Sequence, residues 1–330
     1  MLASPPRECG GCAAKAAPGL VAHVVRQARA THPRPDVMVG LVEADDAAVQ
    51  RLDAERALVT TIDGFPPPIS DPSDYGAIVA ANAVADVYAM GANLTSALCF
   101  LAFPRDTDPA YLADIIRAAA AVIEECGGNV VGGHTVHSAA PLFSISATGI
   151  VHPQRIWRAQ GARPGDALVV SKPIGTGVAV SAQQSGSFES AIAIMRATVR
   201  EDAQQLRGLP RQPSAVTDVS GYGLLGHLKE MTLGGGISMH VDASTIPVAP
   251  GATRLLERGH RTTAHATNLS FVSDDLIHAV DDVTLALLTD PQTSGGLLAA
   301  IDPEYIPLNF TRIGTVASAT ANESTLVVHA

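Results

Sequence analysis

The stretch TTIDGFPPPISDPSDYGAIVAANAVADVYAMGA, residues 60–92, decides the fold reading. Its opening continues an apolar, β-branched run from Ala57 to Ile62, which predicts a strand with Asp63 at its end. Asp63 to Asp74, with prolines at 66–68, reads as a loop rich in Pro and Asp. Tyr75 to Met90 then reads as a helix that Gly91 stops. Inside that helix Asp86 sits among small apolar neighbours, with Asn82 one turn before it on the same face. A carboxylate in such surroundings is costly unless it is paired or bound to a metal.

The pattern continues on both sides. Val37 to Val42 is a strand candidate upstream. Downstream come a strand at Thr95 to Phe103 and a helix at Pro109 to Cys126, opened by Pro and closed by Gly127 and Gly128. Val130 and Val131 lead to a Gly-Gly-His turn, and Phe143 to Val151 is a further strand. Alternating strands and helices predict a mixed α/β (α+β) layer. His152 to Asp166, polar and carrying two Pro and two Gly, reads as a linker. A strand at Leu168 to Ser171 and helices near 175–184 and 188–204 follow. Asp218 to Gly226 is a glycine-punctuated loop entering a helix to about Met231, and Ile237 to Val241 is strand-like. Val283 to Leu288 reads as helix, and Leu297 to Ile301 and Leu326 to His329 close a sheet. The division expected is an N-terminal arm over 1–19, a domain over 20–155 and a second over 156–330.

Composition removes several function classes. The chain has 330 residues, enough for about two domains, and 47% hydrophobic residues argue against a disordered chain. The net charge of −10 disfavours non-specific nucleic-acid binding, which rewards clustered Lys and Arg. No long uninterrupted apolar run suggests a membrane span, and no basic and apolar leader is visible, so the expected location is a reducing cytoplasm. Four cysteines, Cys9, Cys12, Cys99 and Cys126, are no disulfide framework.

Dispersed acidic residues are the first candidates for chemistry. Asp45, Asp46, Asp63, Asp86 and Asp218 could supply the hard oxygen ligands that Mg²⁺ takes together with substrate phosphates; each could equally be a turn or cap residue. The arm GGCAAK at 10–15 holds a single C-x-x-C, Cys9 and Cys12, with Lys15 close by. A zinc site, a redox pair, a thiolate activated by Lys15 and no role at all stay open as readings. Gly-rich turns at Gly132-Gly133-His134-Thr135, Gly221-Tyr222-Gly223 and Ser294-Gly295-Gly296 could cradle phosphates or be ordinary turns. His134 and His227 read as hydrogen-bonded turn or helix residues, and Lys172 as either a phosphate contact or a solvated side chain. A P-loop is absent, and no strand-linked dinucleotide fingerprint is present. The residues alone therefore suggest Mg²⁺-dependent nucleotide chemistry without a P-loop.

Seven segments in order resemble the selenophosphate synthetase (selenide, water dikinase) family. They are GGCAAK at 10–15, DDAAV at 45–49, the 60–92 stretch, GGHT at 132–135, KPIGTG at 172–177, TDVSGYGLLGHLKEM at 217–231 and DPQTSGGLL at 290–298. The resemblance implies a two-domain PurM-like fold with mixed sheets flanked by helices and a mobile Gly-rich N-terminal arm. It implies a homodimer, with ATP near the subunit interface. It implies conversion of ATP, hydrogen selenide (free or from a selenium-donor protein) and water into selenophosphate, AMP and phosphate, with Mg²⁺ and with K⁺ as a further candidate cation. By motif position, Cys12 and Lys15 match catalytic residues, and Asp46, Asp63, Asp86 and Asp218 match metal ligands. Lys15, Thr61, Asp63, Asp86, Gly132, Gly133, His134 and Thr135 match nucleotide contacts. The chain departs from the family at His137, where an acidic residue is common, at Ser144, near a usual Gly, and at 264–268, where only Asn268 of a Gly-Gly-Thr-x-x-Asn stretch is kept.

Overall fold

The computed structural model describes residues 15–16, 18–28, 34–41, 43, 45–183, 185–319 and 325–330. Helix α1 (Pro18–Ala28) leads into β1 (Val37–Val39), β2 (Ala48–Arg51) and β3 (Ala57–Phe65). Then come α2 (Pro72–Ala89), β4 (Asn93–Phe103), α3 (Pro109–Glu125), β5 (Asn129–His137) and β6 (Leu142–Val151). The second half holds β7 (Ala167–Val170), α4 (Thr176–Ala182), α5 (Ser187–Arg196), α6 (Arg200–Arg207), β8 (Ala215–Asp218), α7 (Gly223–Thr232) and β9 (Ile237–Asp242). It closes with α8 (Ala252–Glu257), α9 (His265–Val272), β10 (Leu276–His278), α10 (Asp282–Leu288), β11 (Leu297–Ile301), β12 (Thr311–Ser318) and β13 (Leu326–His329). The strands form a six-stranded sheet in the order β1-β2-β3-β6-β4-β5 and a seven-stranded sheet in the order β10-β13-β9-β12-β7-β11-β8. Residues 152–166, between the two sheets, contain no helix or strand.

Helix α2 is the centre of the molecule. Asp71 caps it by accepting from the Asp74 N–H at 2.8 Å, and Pro72 starts it. Every residue from Tyr75 to Ala89 is buried, because the helix is covered by β3, β6, α3, α5 and β8. That enclosure accounts for a sequence that is apolar on nearly all sides. Gly76 lets α3 approach, since a Cβ there would collide with the Ile115 carbonyl. The Tyr75 hydroxyl donates to the Phe65 carbonyl at 2.6 Å and accepts from the Phe143 N–H at 2.9 Å, tying the Pro-rich loop to the first sheet.

Several expectations need correction. Strand β3 runs past Asp63 to Phe65, so Asp63 lies within a strand. Gly132-Gly133-His134-Thr135 is no turn: it lies in β5, paired in parallel with β4. Glycine at 133 suits that pairing, because a Cβ would strike the Cys99 carbonyl. The single helix expected over 188–204 is two, α5 and α6. Ala197 adopts an extended conformation between them, and the β-branched Thr198 and Val199 follow. The upstream strand ends at Val39. Strands β2, β10 and β12 and helices α8 and α9 were not anticipated; β10 has three residues and α8 six, too short for periodicity to register. Among the described residues no helix is long and apolar enough to cross a membrane.

Candidate active site

Four carboxylates from four separate places share one electrostatic field. Asp46 precedes β2, Asp63 is on β3, Asp86 is on α2 and Asp218 ends β8. Burial, then the charges of Asp63, Asp218 and Asp46, push the Asp86 carboxyl well above its ordinary value. Burial, then Asp218 and Asp45, do the same to Asp46. Asp63 and Asp218 are raised chiefly by burial, with Lys15 working in the opposite direction on both. Carboxylates gathered out of water disfavour one another's ionised forms until a cation offsets them.

Neutral donors orient three of the four. The Thr61 hydroxyl donates to Asp86 Oδ2 at 2.5 Å, and the Thr61 carbonyl accepts from the Ser146 hydroxyl at 3.0 Å. Asn82 Nδ2 donates to Asp63 Oδ2. The Thr217 hydroxyl donates to Asp46 Oδ1 at 2.8 Å, which ties the second half of the chain to the first. Asp45, the other acidic residue of that pair, accepts from the backbone N–H groups of Asp46 and Ala159 and so acts as a turn residue.

Lys15 brings positive charge to the cluster. Its ammonium lies 4.5 Å from the centre of the Tyr222 ring, and its charge bears on Asp63, Asp218 and Glu230. Cys12, like Cys9, Gly10 and Gly11, lies outside the described residues. His227 is buried: its Nε2 accepts from the Ser220 N–H at 3.0 Å, and its Nδ1 lies 3.0 Å from Glu230 Oε2. Although burial pushes Glu230 up, His227 and Lys15 hold its carboxyl below the usual range. Glu230, Thr217 and Tyr222 were missed by sequence reasoning as members of this site. The i, i+3 spacing of His227 and Glu230 on α7 was the available signal for the first.

Other candidates fall elsewhere. Gly132, Gly133, His134 and Thr135 are exposed on β5, the outer edge of the first sheet, three strand spacings or roughly 14 Å from β3. The His134 ring stacks on Phe100. Lys172 is not solvated: it is buried, donates to the Ser294 carbonyl at 2.9 Å and to Ala197 O, and burial pushes it down to about 8. One family departure and one retained residue have local explanations. Ser144 is paired across strands with Gly64, whose missing Cβ leaves room for the Ser144 hydroxyl. Asn268, the retained residue of its stretch, donates to the carbonyls of Gly221 and Thr289 at 3.0 Å each and so pins the Gly221-Tyr222-Gly223 loop.

A hard divalent cation fits this cluster. Asp46 Oδ2 is buried with no hydrogen-bond partner, an arrangement that is costly unless a cation takes it up. Among the described residues no three acidic, His or Cys side chains are placed to hold a metal ion together. Mg²⁺ would take much of its coordination shell from water and substrate phosphates.

Comparison with known proteins agrees with this architecture. Residues 44–151 match the profile of the AIR synthase related protein N-terminal domain, and 163–317 match its C-terminal domain. The structure is similar to thiamine monophosphate kinase from Aquifex aeolicus (TM-score 0.69, 19% identity, 94% of this chain and 96% of that one). It is similar also to hydrogenase maturation protein HypE in complex with ATP (TM-score 0.64, 18% identity, 84% of each chain). At such identities the likeness concerns the fold alone, which is PurM-like. Sequence similarity is closer to selenide, water dikinase of Burkholderia ambifaria, 40% identical over 304 residues that cover 90% of this chain and 86% of that protein. The same-named proteins of Porphyromonas gingivalis and Clostridioides difficile are 39% and 36% identical, again over 86% of their lengths. With two-fifths of its residues shared across nine-tenths of its length, the chain belongs to the selenide, water dikinase family.

Proposed function

We propose that this protein makes selenophosphate from ATP, selenide and water, releasing AMP and phosphate. The observation that carries the reading is the meeting of Asp46, Asp63, Asp86 and Asp218 beside Lys15. The similarity to selenide, water dikinases supports the choice of selenide as acceptor. Asp46, Asp63, Asp86 and Asp218 would hold Mg²⁺, which when bound neutralises phosphate charge and steadies the triphosphate for in-line attack. Thr61, Asn82 and Thr217 keep the carboxylates aimed. Lys15 offsets negative charge on the transferring group. Cys12 receives or positions selenium.

In the first step selenide attacks the γ-phosphorus: a selenium–phosphorus bond forms, the bond to the bridging oxygen breaks and ADP leaves. In the second, water attacks the β-phosphorus of that ADP, so phosphate and AMP are released and the two water protons are shared between the products and solvent. The site needs selenide to precede water at the γ-phosphorus, and we assign that exclusion to the N-terminal arm over 1–19.

We also propose a homodimer in a reducing cytoplasm, built from domains over 20–155 and 156–330. Ile62 and Leu98 flank Ser146 in one cross-strand row and are 69% and 49% exposed, and Val131 and Val136 on β5 are 65% and 41% exposed. A second copy on this face would cover that apolar surface and carry Gly132, Gly133, His134 and Thr135 toward a partner's nucleotide. No described group singles out a K⁺ site, so K⁺ enters only as an assay variable.

Anaerobic ³¹P NMR of the protein with ATP, Mg²⁺ and selenide tests the reaction. Selenophosphate growing together with AMP and phosphate is the expected result. ADP without AMP would overturn it in favour of a kinase, and ATP binding without turnover in favour of a nucleotide-binding regulator.

A further inference from the structure

Both ends of the Asn82 amide are occupied. Its Nδ2 donates to Asp63 Oδ2, and its Oδ1 accepts the Ser294 backbone N–H at 2.9 Å. Asp63 belongs to the first sheet, whereas Ser294 lies 212 residues beyond Asn82, just before β11 of the second. A primary amide has one donor end and one acceptor end. Turned over, it would set its oxygen against the Asp63 carboxylate and its NH₂ against a backbone N–H. The Ser294 N–H therefore selects the amide orientation that Asp63 meets.

Ser294 is held in an unfavourable conformation to do this. Its φ is +52°, in the left-handed region that a side chain with a Cβ rarely adopts. It is buried, and its Oγ has no hydrogen-bond partner, so the hydroxyl does not account for the strain. What fixes the residue is its main chain. Its carbonyl receives the Lys172 ammonium at 2.9 Å, and Lys172 is braced on Ala197 O. A buried ammonium is expensive, and here it serves two backbone carbonyls rather than an ion pair in contact. Backbone strain and a buried charge meet at one residue, whose N–H points at Asn82.

We propose that Lys172 and Ser294 are positioning residues that act through Asn82 to fix the Asp63 carboxylate, keeping its Oδ1 turned toward the cation and the phosphates. The inference rests on the reading of Asp63 as a cation ligand. It adds that the ligand geometry of the first sheet is set by the second, through three residues that need not touch the nucleotide.

The test is a titration of nucleotide-free protein with Mn²⁺, a stand-in for Mg²⁺, followed by loss of the free-ion EPR signal. It needs neither selenide nor turnover. Wild type is compared with Asn82→Ala and Lys172→Met, with thermal unfolding recorded for each. Partners that orient a metal ligand typically contribute about 10–100-fold in metal affinity. Both variants should weaken Mn²⁺ binding by about tenfold or more, and the Mg²⁺ concentration for half-maximal ATP turnover should rise in parallel. Lys172→Met with unaltered Mn²⁺ affinity, or with only a lower unfolding midpoint, would overturn the proposal. Should Lys172→Met fail to fold, Ser294→Gly carries the test. It removes the backbone strain while keeping the N–H, and should raise the unfolding midpoint and loosen Mn²⁺ binding; unchanged binding would overturn the proposal. Failure of the proposed function would show differently, as wild type that binds Mn²⁺ but makes no selenophosphate.

Discussion

The carboxylate cluster and the Gly132–Thr135 edge strand make an instructive pair. Both consist of motif residues from the same family pattern, and they end in opposite environments. The carboxylates come from β3, α2, β8 and the turn before β2, yet they share one field, Asp86 and Asp218 buried and Asp46 and Asp63 half-buried, and Thr61, Asn82 and Thr217 aim three of them. The glycines and His134 are contiguous in sequence, yet they lie exposed on an unpaired strand edge. The cluster carries its own supporting groups within one chain. The edge has neighbours on one side only, so on the proposed reading its role needs a second surface. Contiguity in sequence therefore says little about completeness of a site; what matters is whether the fold supplies the partners.

The largest way to sharpen this contrast is to remove a carboxylate. Asp218→Asn should lower selenophosphate formation by about 10³-fold, as expected when a group that stabilises developing charge is lost. The same ³¹P assay should show full loss when Mg²⁺ is chelated. Activity within tenfold of wild type would mean that the cluster is structural.

A smaller effect is expected at the edge. Leu98→Arg places a charge on the exposed face of the first sheet, where it costs the monomer little but cannot be covered by another copy. Sedimentation should give a monomer in place of a dimer, with turnover down about tenfold or more and unfolding unchanged. An active monomer would break the comparison, because the edge would then have no part in the site.

The smallest effect concerns a buried acid outside both regions. Burial pushes Asp290 up to about 7, against hydrogen bonds from the Val178 N–H at 3.1 Å and Gln292 Nε2 at 3.2 Å. Its folded state therefore holds a proton more tightly than the unfolded chain does. Between the ordinary value of 3.8 and about 7, this group makes the protein more stable as pH falls, by up to about 1.4 kcal/mol per pH unit. Asp290→Asn keeps an acceptor for the Val178 N–H and removes the titration. Chemical denaturation between pH 5 and 7.5 should show a shallower pH dependence in the variant; identical slopes would place the titrating group elsewhere.

Much of the fold was legible because its strongest signals are local. The helix over 75–90 announced itself through its apolar run and Gly91 at its end, whereas Asp71 and Pro72, which start it, were read as part of the Pro- and Asp-rich loop. Parallel β5 did not, since glycines read as turns unless the neighbouring strand that needs them is known. Thr217 was unreadable as a site residue for a similar reason: nothing near it in sequence names Asp46.

What the sequence determined by itself was the order of elements around the 60–92 stretch, the family to which the seven motifs belong, and the residue types suited to hard-cation and phosphate chemistry. Capping, periodicity and motif spacing act over a few residues, so they can be read along the chain. Tertiary structure alone decided which of these residues meet. It turned Asp45 into a backbone acceptor and left Asp46 with an unpartnered oxygen. It buried Lys172 against the Ser294 carbonyl, and it placed a strained serine from just before β11 against the amide that faces Asp63. Burial and Coulomb interaction depend on distance in space, and elements far apart in the chain set that distance only when they pack.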